Sequence, residues 1–306
     1  SDYEAPQVKS ENITISDIQK KTDATGKEWI ILQTFNVKGT ENYSEVVNLK
    51  IDVESNGTKK RYYDGNLMVD SINRTFVQNI TPAIEVTSGN IIFTFTDQSN
   101  NVTTITKTLP PSDNFAPEFK NGDDYTNPWT KEKVITLCAE DNGSGNVLLT
   151  LNNKNNFTIG NKNNNSYFKT YKIVGDIYSE INPIAYAQDD LLNISYQTLK
   201  VNRIDNTNPT IENVEQIKNG YGSSIITIKG NDKHATKGTG SGISHYAVVE
   251  KGKVPSDSDF NIVATQDTTN SGLFVATKEL AFFGDYDVYA KDLVGNISSV
   301  YETNVD

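Results

Sequence analysis

Two short motifs that recur in fixed register limit most strongly what this chain can fold into. The first is Asp-x-x-x-Pro, then any residue, then an apolar one: Asp2…Pro6-Gln7-Val8, Asp113…Pro117-Glu118-Phe119 and Asp205…Pro209-Thr210-Ile211. An Asp ahead of a proline initiates a turn, and the proline pre-sets an extended path into a strand. The second motif is an alternating apolar run that ends in Asp-x-x-x-Asn. Its copies are Ile91 to Asp97…Asn101, Ala185 to Asp189…Asn193, and Val288 to Asp292…Asn296. Each Asn is followed by Val or Ile and then by Thr or Ser, which is the chemistry of a hairpin. The Asp side chain accepts loop N–H groups, Asn or Gly tolerates positive φ, and a β-branched residue starts the returning strand.

The spacings agree. Asp97 and Asp189 stand 92 residues apart, and so do Asp113 and Asp205, and each hairpin Asp precedes the next linker Asp by 16 residues. Two markers in common register over a whole period are the signature of a repeat architecture. They predict three domains, at 1–113, 114–205 and 206–306. The same gap measured from Asp292 places a further linker at position 308, just past the last residue, and the chain also opens on a linker without a Met. The expectation is a fragment of a longer protein, cut at domain borders.

A third marker is a strand running into a Gly-Ser-Gly turn, and only two copies carry it. One is Ile135 to Asp141-Asn142-Gly143-Ser144-Gly145. The other is Ile226 to Asp232, a six-residue insertion, and Gly240-Ser241-Gly242-Ile243. Domain 1 lacks this marker and is 19 residues longer than domain 2 between linker aspartates. Its equivalent strand is predicted at Glu28 to Val37. Short alternating strands with frequent turn signals predict two sheets packed face to face. In domain 3, Ile226, Ile228, Val288 and Ala290 are predicted to point inward, with Thr227 and Lys229 outward. Cys138 aligns with Lys229, which predicts an inert thiol on the outer face, away from the core.

Domains 2 and 3 resemble the bacterial Ig-like (Big-type) repeats of Gram-positive surface and secreted proteins. The resemblance is carried by Asp113 to Pro117, Trp129-Thr130, Asp141 to Gly145, Ile243 to Val248, and Tyr286-Asp287-Val288-Tyr289-Ala290-Lys291-Asp292-Leu293-Val294-Gly295-Asn296. It covers about two-thirds of the chain, and domain 1 only at its borders and final hairpin. It implies an all-β protein of three tandem immunoglobulin-like β-sandwich domains in an elongated array. The fold hosts many functions and does not name one.

Composition narrows the classes. A net charge of −11, with Lys59-Lys60-Arg61 as the densest basic run, argues against nucleic acid as a partner. A single cysteine forbids an intrachain disulfide, a usage more typical of exported Gram-positive proteins than of secreted eukaryotic ones. No apolar run approaches the roughly 18–20 residues that span a bilayer, so membrane insertion is not expected. The many Asn-x-Ser/Thr triplets, such as Asn12-Ile13-Thr14, follow from an Asn-rich composition.

Catalytic chemistry finds little support. The two histidines, His234 and His245, lack zinc-ligand spacing or a nucleophile elbow. Gly238 to Gly242 is Gly-rich but no Lys-Ser/Thr follows, so it is a turn rather than a phosphate loop. The carboxylate pairs Asp123-Asp124, Asp189-Asp190 and Asp257 with Asp259 fall in predicted turns rather than a cleft. The linker Asp113 to Phe119 resembles the calcium-binding linker of cadherins, with one residue more and without the companion acidic motifs. Interdomain calcium is thus the one cofactor to consider, and no catalytic, cofactor or metal residue is assigned. A Lys–Asn isopeptide cross-link, motivated only by abundant Lys and Asn, would show as a mass loss of roughly 17 Da.

The expectation is a non-catalytic, monomeric spacer on the bacterial cell surface or in a secreted protein. Its partners are the neighbouring domains of the same longer chain. The alternative is an adhesin or carbohydrate-binding module that meets a host glycan or matrix protein, or the accessory domains of a secreted glycoside hydrolase. Residues 233–240, residues 255–260 and the enlarged domain 1 are where binding would be sought.

Overall fold

The computed structural model describes residues 2–218 and 222–306. These form mostly antiparallel sheets joined by turns, with parallel pairing of Ile30 with Ser112 and of Asp124–Tyr125 with Lys200–Val201. There are 3-10 turns at Ser10–Asn12 and Asp257–Asp259 and no α-helix among the described residues. The all-β class expected from the alternating sequence is what the chain adopts. It divides into two compact units, one of Ser1–Asn121, Thr136–Lys169 and Ala185–Gln197, the other of Gly122–Ile135, Thr170–Ile184 and Thr198–Asp306.

In the first unit, nine strands precede the second linker: β1 (Ile13–Thr22), β2 (Glu28–Thr40), β3 (Val46–Ser55), β4 (Thr58–Met68), β5 (Thr75–Ile80), β6 (Glu85–Val86), β7 (Gly89–Thr96), β8 (Val102–Leu109) and β9 (Ser112–Asp113). One sheet runs β1-β2-β9-β6 with β5 also on β2, and the other runs β4-β3-β7-β8. The two faces meet in a single core. Phe35 and Val37 of β2 and Phe76 of β5 pack against Leu49 and Ile51 of β3 and Phe93 and Phe95 of β7. Phe35 and Phe93 meet edge to face at 5.3 Å, the favoured geometry for two ring quadrupoles. The predicted strand Glu28 to Val37 is β2, three residues longer than expected. The basic run Lys59-Lys60-Arg61 lies exposed on β4, with Arg61 paired to Asp52 at 3.0 Å.

The next segment contributes β10 (Glu118–Phe119), β11 (Asp124–Tyr125), β12 (Glu132–Glu140), β13 (Val147–Leu151), β14 (Thr158–Ile159), β15 (Asn161–Asn163), β16 (Ser166–Val174), β17 (Ile184–Asp189), β18 (Ile194–Thr198) and β19 (Lys200–Val201). The sheet orders are β10-β12-β16-β15 and β14-β13-β17-β18, with β11 parallel to β19. On β12 the residues Ile135, Leu137 and Ala139 are fully buried. Cys138, on the opposite side of the pleat, corrects the sequence expectation. It is not a surface thiol but is 7% exposed. The short β10 lies along the edge of β12 (Phe119 opposite Ala139), and Asn121 then takes the Cys138 N–H at 3.1 Å. Burial pushes the thiol pKa up, against the Ser166 hydroxyl that lowers it.

The second unit closes with β20 (Thr210–Lys218), β21 (Ser224–Asn231), β22 (Lys233–His234), β23 (Gly238–Thr239), β24 (Ile243–Glu250), β25 (Ile262–Val263), β26 (Thr265–Gln266), β27 (Phe274–Leu280), β28 (Gly284–Asp292) and β29 (Tyr301–Val305). Sheets β20-β21-β27-β26 and β25-β24-β28-β29 pack face to face. Ile226 and Ile228 from one and Val288 and Ala290 from the other are fully buried, as predicted, while Thr227 and Lys229 are only partly covered. The insertion before Gly240 forms its own hairpin of β22 and β23.

Candidate metal centres at the three linkers

The hairpin aspartates make the same hydrogen bonds three times. Oδ1 of Asp97 accepts the N–H groups of Ser99 and Asn101, both at 2.8 Å. Oδ1 of Asp189 accepts those of Leu191 and Asn193, both at 2.9 Å. Oδ1 of Asp292 accepts those of Val294 at 3.1 Å and Asn296 at 2.8 Å. The loop asparagine then donates Nδ2–H to the second oxygen of its own Asp, at 2.8 Å in each copy. The same Nδ2 also donates to the carbonyl of a linker aspartate: Asn101 to Asp2 at 3.3 Å, Asn193 to Asp113 at 3.4 Å, and Asn296 to Asp205 at 3.2 Å. In each copy the two sequence motifs are thus two halves of one contact, across separations of 99, 80 and 91 residues.

The Thr or Ser after the hairpin extends this contact in two copies. Thr103 donates to the Pro6 carbonyl at 2.5 Å, and Ser195 to the Pro117 carbonyl. The third copy departs from the pattern. Ser298 exchanges hydrogen bonds with Ala290, its Oγ taking the Ala290 N–H at 2.9 Å. The returning strand is reduced to a bridge between Lys291 and Ile297 until β29 starts at Tyr301.

The third motif supplies another carboxylate. Asp141 and Asp232 stand one residue past the ends of β12 and β21. The serine of each Gly-Ser turn donates its N–H to the linker Asp, Ser144 to Asp113 at 2.8 Å and Ser241 to Asp205 at 2.7 Å. The preceding glycine is required by space. A Cβ on Gly143 would lie 2.1 Å from an Asp113 carboxylate oxygen, and one on Gly240 would lie 2.5 Å from Asp205. The segment before the second linker lacks the turn but not the carboxylate. Glu41 stands one residue past β2, and its Oε1 caps the Tyr43 and Ser44 N–H groups at 2.8 and 3.0 Å. Sequence inspection missed Glu41, although its place next to the strand end was the available signal.

Three acidic clusters result: Asp2, Glu41 and Asp97; Glu85, Asp113 and Asp141; and Asp205, Asp232 and Asp292. In each, one oxygen from every residue lies within 4.8 Å of the others. In the second cluster, burial and the Asp113 charge push Glu85 up to about 7 and Asp141 up to about 8. Burial also raises Asp113, and raises Asp189 to about 6. In the third cluster burial pushes up Asp232 and Asp292, and the close Asp205 carboxylate pushes Asp232 further. Two like charges about 4 Å apart repel by roughly 4 kcal/mol at an effective dielectric of about 20. The N–H donors around each cluster offset part of that repulsion, and a shared proton or a cation would relieve the rest. The donors are all carboxylate oxygens, which suit a hard cation.

The other residues singled out in the sequence do not gather into a site. His234 on β22 lies 3.7 Å from Asp176 and edge-on to Tyr178, and His245 on β24 faces its neighbour Ser244 at 3.1 Å. Asp259 caps the 3-10 turn through Ser256, Asp257 pairs with Lys291 at 3.2 Å, and Asp124 accepts the Thr126 N–H at 2.9 Å. Asp190, beside the buried Asp189, accepts the Ala24 N–H at 3.2 Å. Phe260, at the end of the 255–260 loop, is buried.

No protein-family profile matches the chain, and no curated protein matches it. Among solved structures it is similar to FdeC, an Escherichia coli adhesin, at 14% identity and a TM-score of 0.36, over 99% of this chain and 100% of that one. It is similar to a 1.5-MDa bacterial ice-binding adhesin at 14% identity and 0.29, over 96% and 97%. It is also similar to dimeric latent PorU from Porphyromonas gingivalis, at 12% identity and 0.22 over 89% of this chain, of which it spans only 31%. At these identities and scores the likenesses fix neither activity nor ligand.

Proposed function

We propose that this chain is a non-catalytic, immunoglobulin-like repeat region of a bacterial surface or secreted protein, and that it acts as a spacer. In this reading three modules, at 1–113, 114–205 and 206–306, carry another part of a longer protein away from its anchor. The supporting observation is the contact made three times between a linker aspartate and the last hairpin of the segment that follows it. Such a contact fixes each linker to a sandwich and leaves it little freedom, as a spacer requires. Small-angle scattering is the test. The spacer reading expects an extended particle, and a compact globular profile overturns it.

One observation favours the adhesive alternative. A groove of about 610 Å³ in the first unit is lined by Lys60, Phe115 and Tyr196, among others. Tyr196 is 72% exposed, and Lys60 lies over the Phe115 ring at 5.6 Å. Exposed rings beside polar groups suit the faces of a sugar. A glycan array on the intact chain, repeated with Tyr196→Ala, separates the two readings. Hits lost in the variant support binding, and an array without hits leaves the spacer alone.

A further inference from the structure

We propose that Asp205, Asp232 and Asp292 bind a calcium ion where the 205–209 linker meets the final hairpin. The three side chains come from separate segments, the linker, the end of β21 and the end of β28, and converge with 0%, 0% and 1% exposure. One oxygen from each lies within 4.8 Å of the other two, the span across a coordination shell of radius about 2.4 Å. Among the described residues no Lys, Arg or His forms an ion pair with any of them.

A second observation points to a ligand independently of the acidic count. Asp232 Oδ1 is wholly buried and has no hydrogen-bond partner, while its Oδ2 accepts the Gly242 N–H at 2.7 Å. A buried carboxylate oxygen left without a donor is rare in folded proteins, because it loses its water without gaining a partner. The charged groups close to Asp232 are the Asp205 and Asp292 carboxylates, which offer no proton while ionised. The remaining oxygens are held in place. Asp205 Oδ1 accepts from the Tyr178 hydroxyl at 2.7 Å and the Thr207 N–H at 3.0 Å. Its Oδ2 accepts from Ser241 N–H, and Asp292 is fixed by its own loop. Carboxylates pinned on their outer lone pairs present the others to the centre of the cluster.

The donor set selects the ion. No thiol or imidazole belongs to the cluster, which disfavours zinc and copper. Magnesium demands a tight octahedron and keeps several waters, whereas calcium accepts irregular oxygen shells at 2.3–2.6 Å. A buried carboxylate oxygen without a hydrogen-bond partner also occurs in each of the other clusters, at Asp141 Oδ2, the counterpart of Asp232, and at Asp2 Oδ2 on the first linker. The site rests on these contacts and stands whether the chain is a spacer or an adhesin.

The test uses the whole chain, stripped with a chelator and then titrated with calcium chloride, and reads calorimetric unfolding and terbium luminescence. Calcium at about a hundredfold over its Kd is expected to raise a transition by about 10 °C for a domain of about 100 residues. Magnesium at the same concentration is expected to give much less. Asp232→Asn should lose one equivalent of bound terbium and the part of the calcium shift that belongs to this site. In chelator it should unfold no lower than the unsubstituted chain, because one of three like charges is gone. If that variant does not fold, Asp292→Asn is read in its place and should lose the same single equivalent. Equal unfolding with calcium and with chelator overturns the proposal, as does an equal shift with magnesium. A full terbium count in the variant does the same. A shift produced by acid alone assigns the cluster to a shared proton instead.

Discussion

Leu192 and Gly295 hold the same place in two of the three hairpins, and both have positive φ, +70° and +95°. Asn100 holds that place in the first, at +68°. The left-handed region costs an ordinary L-residue about 1–2 kcal/mol, and a branched hydrophobe gains nothing back through a local side-chain hydrogen bond. Leu192 is 60% exposed, so little packing offsets its strain. Leu192→Gly removes the strain and adds unfolded-state entropy, for a net gain of up to about 1 kcal/mol. Gly295→Ala goes the other way. A Cβ there meets nothing within 4 Å, so the cost is backbone alone, about 1 kcal/mol. Urea unfolding at constant m-value is the measurement. Two variants moving the midpoint in the same direction would contradict the account.

At the scale of elements, the period-2 alternation carries real information about faces. It places Ile226, Ile228, Val288 and Ala290 in the core because a pleat puts successive side chains on opposite sides. It does not say what covers the other face. Cys138 sits on the predicted side of β12 and is buried nonetheless, with Ser166 of β16 and the Glu140 and Lys120 side chains close to its thiol. The acidic clusters were illegible for a related reason. Asp205, Asp232 and Asp292 each belong to a different recurring motif, and only pairing of the segments brings the three together. The Gly-Ser turn was legible as a marker, but its reason lies in the linker aspartate that it admits. Gly240→Ala therefore tests a contact between elements. A methyl placed 2.5 Å from the Asp205 carboxylate must displace a group pinned by three hydrogen bonds, at a cost of about 1–3 kcal/mol. In an Asp205→Ala background the cost should largely vanish, which a double-mutant cycle on unfolding free energies would register. An unchanged cost in that background would place the clash elsewhere.

For the whole molecule, the modular reading turns on whether separate cores melt separately. The core around Phe35 and the core around Ile228 share no residue. Both side chains are fully buried. Phe35→Ala should cost about 3–5 kcal/mol and Ile228→Ala about 2–5 kcal/mol, each through lost transfer energy and the cavity left behind. In a domain of about 100 residues, each kilocalorie lowers the midpoint by roughly 4–8 °C. Differential scanning calorimetry of the full chain should then resolve more than one transition. Phe35→Ala should shift one of them down by about 12 °C or more and leave the transition of the 210–305 sandwich in place, and Ile228→Ala should do the converse. Distant sites with no shared partner behave additively, so the double variant should show both shifts unchanged. A single transition that moves with either substitution would mean that the chain unfolds as one cooperative body. The repeat would then describe the path of the chain but not its units of stability.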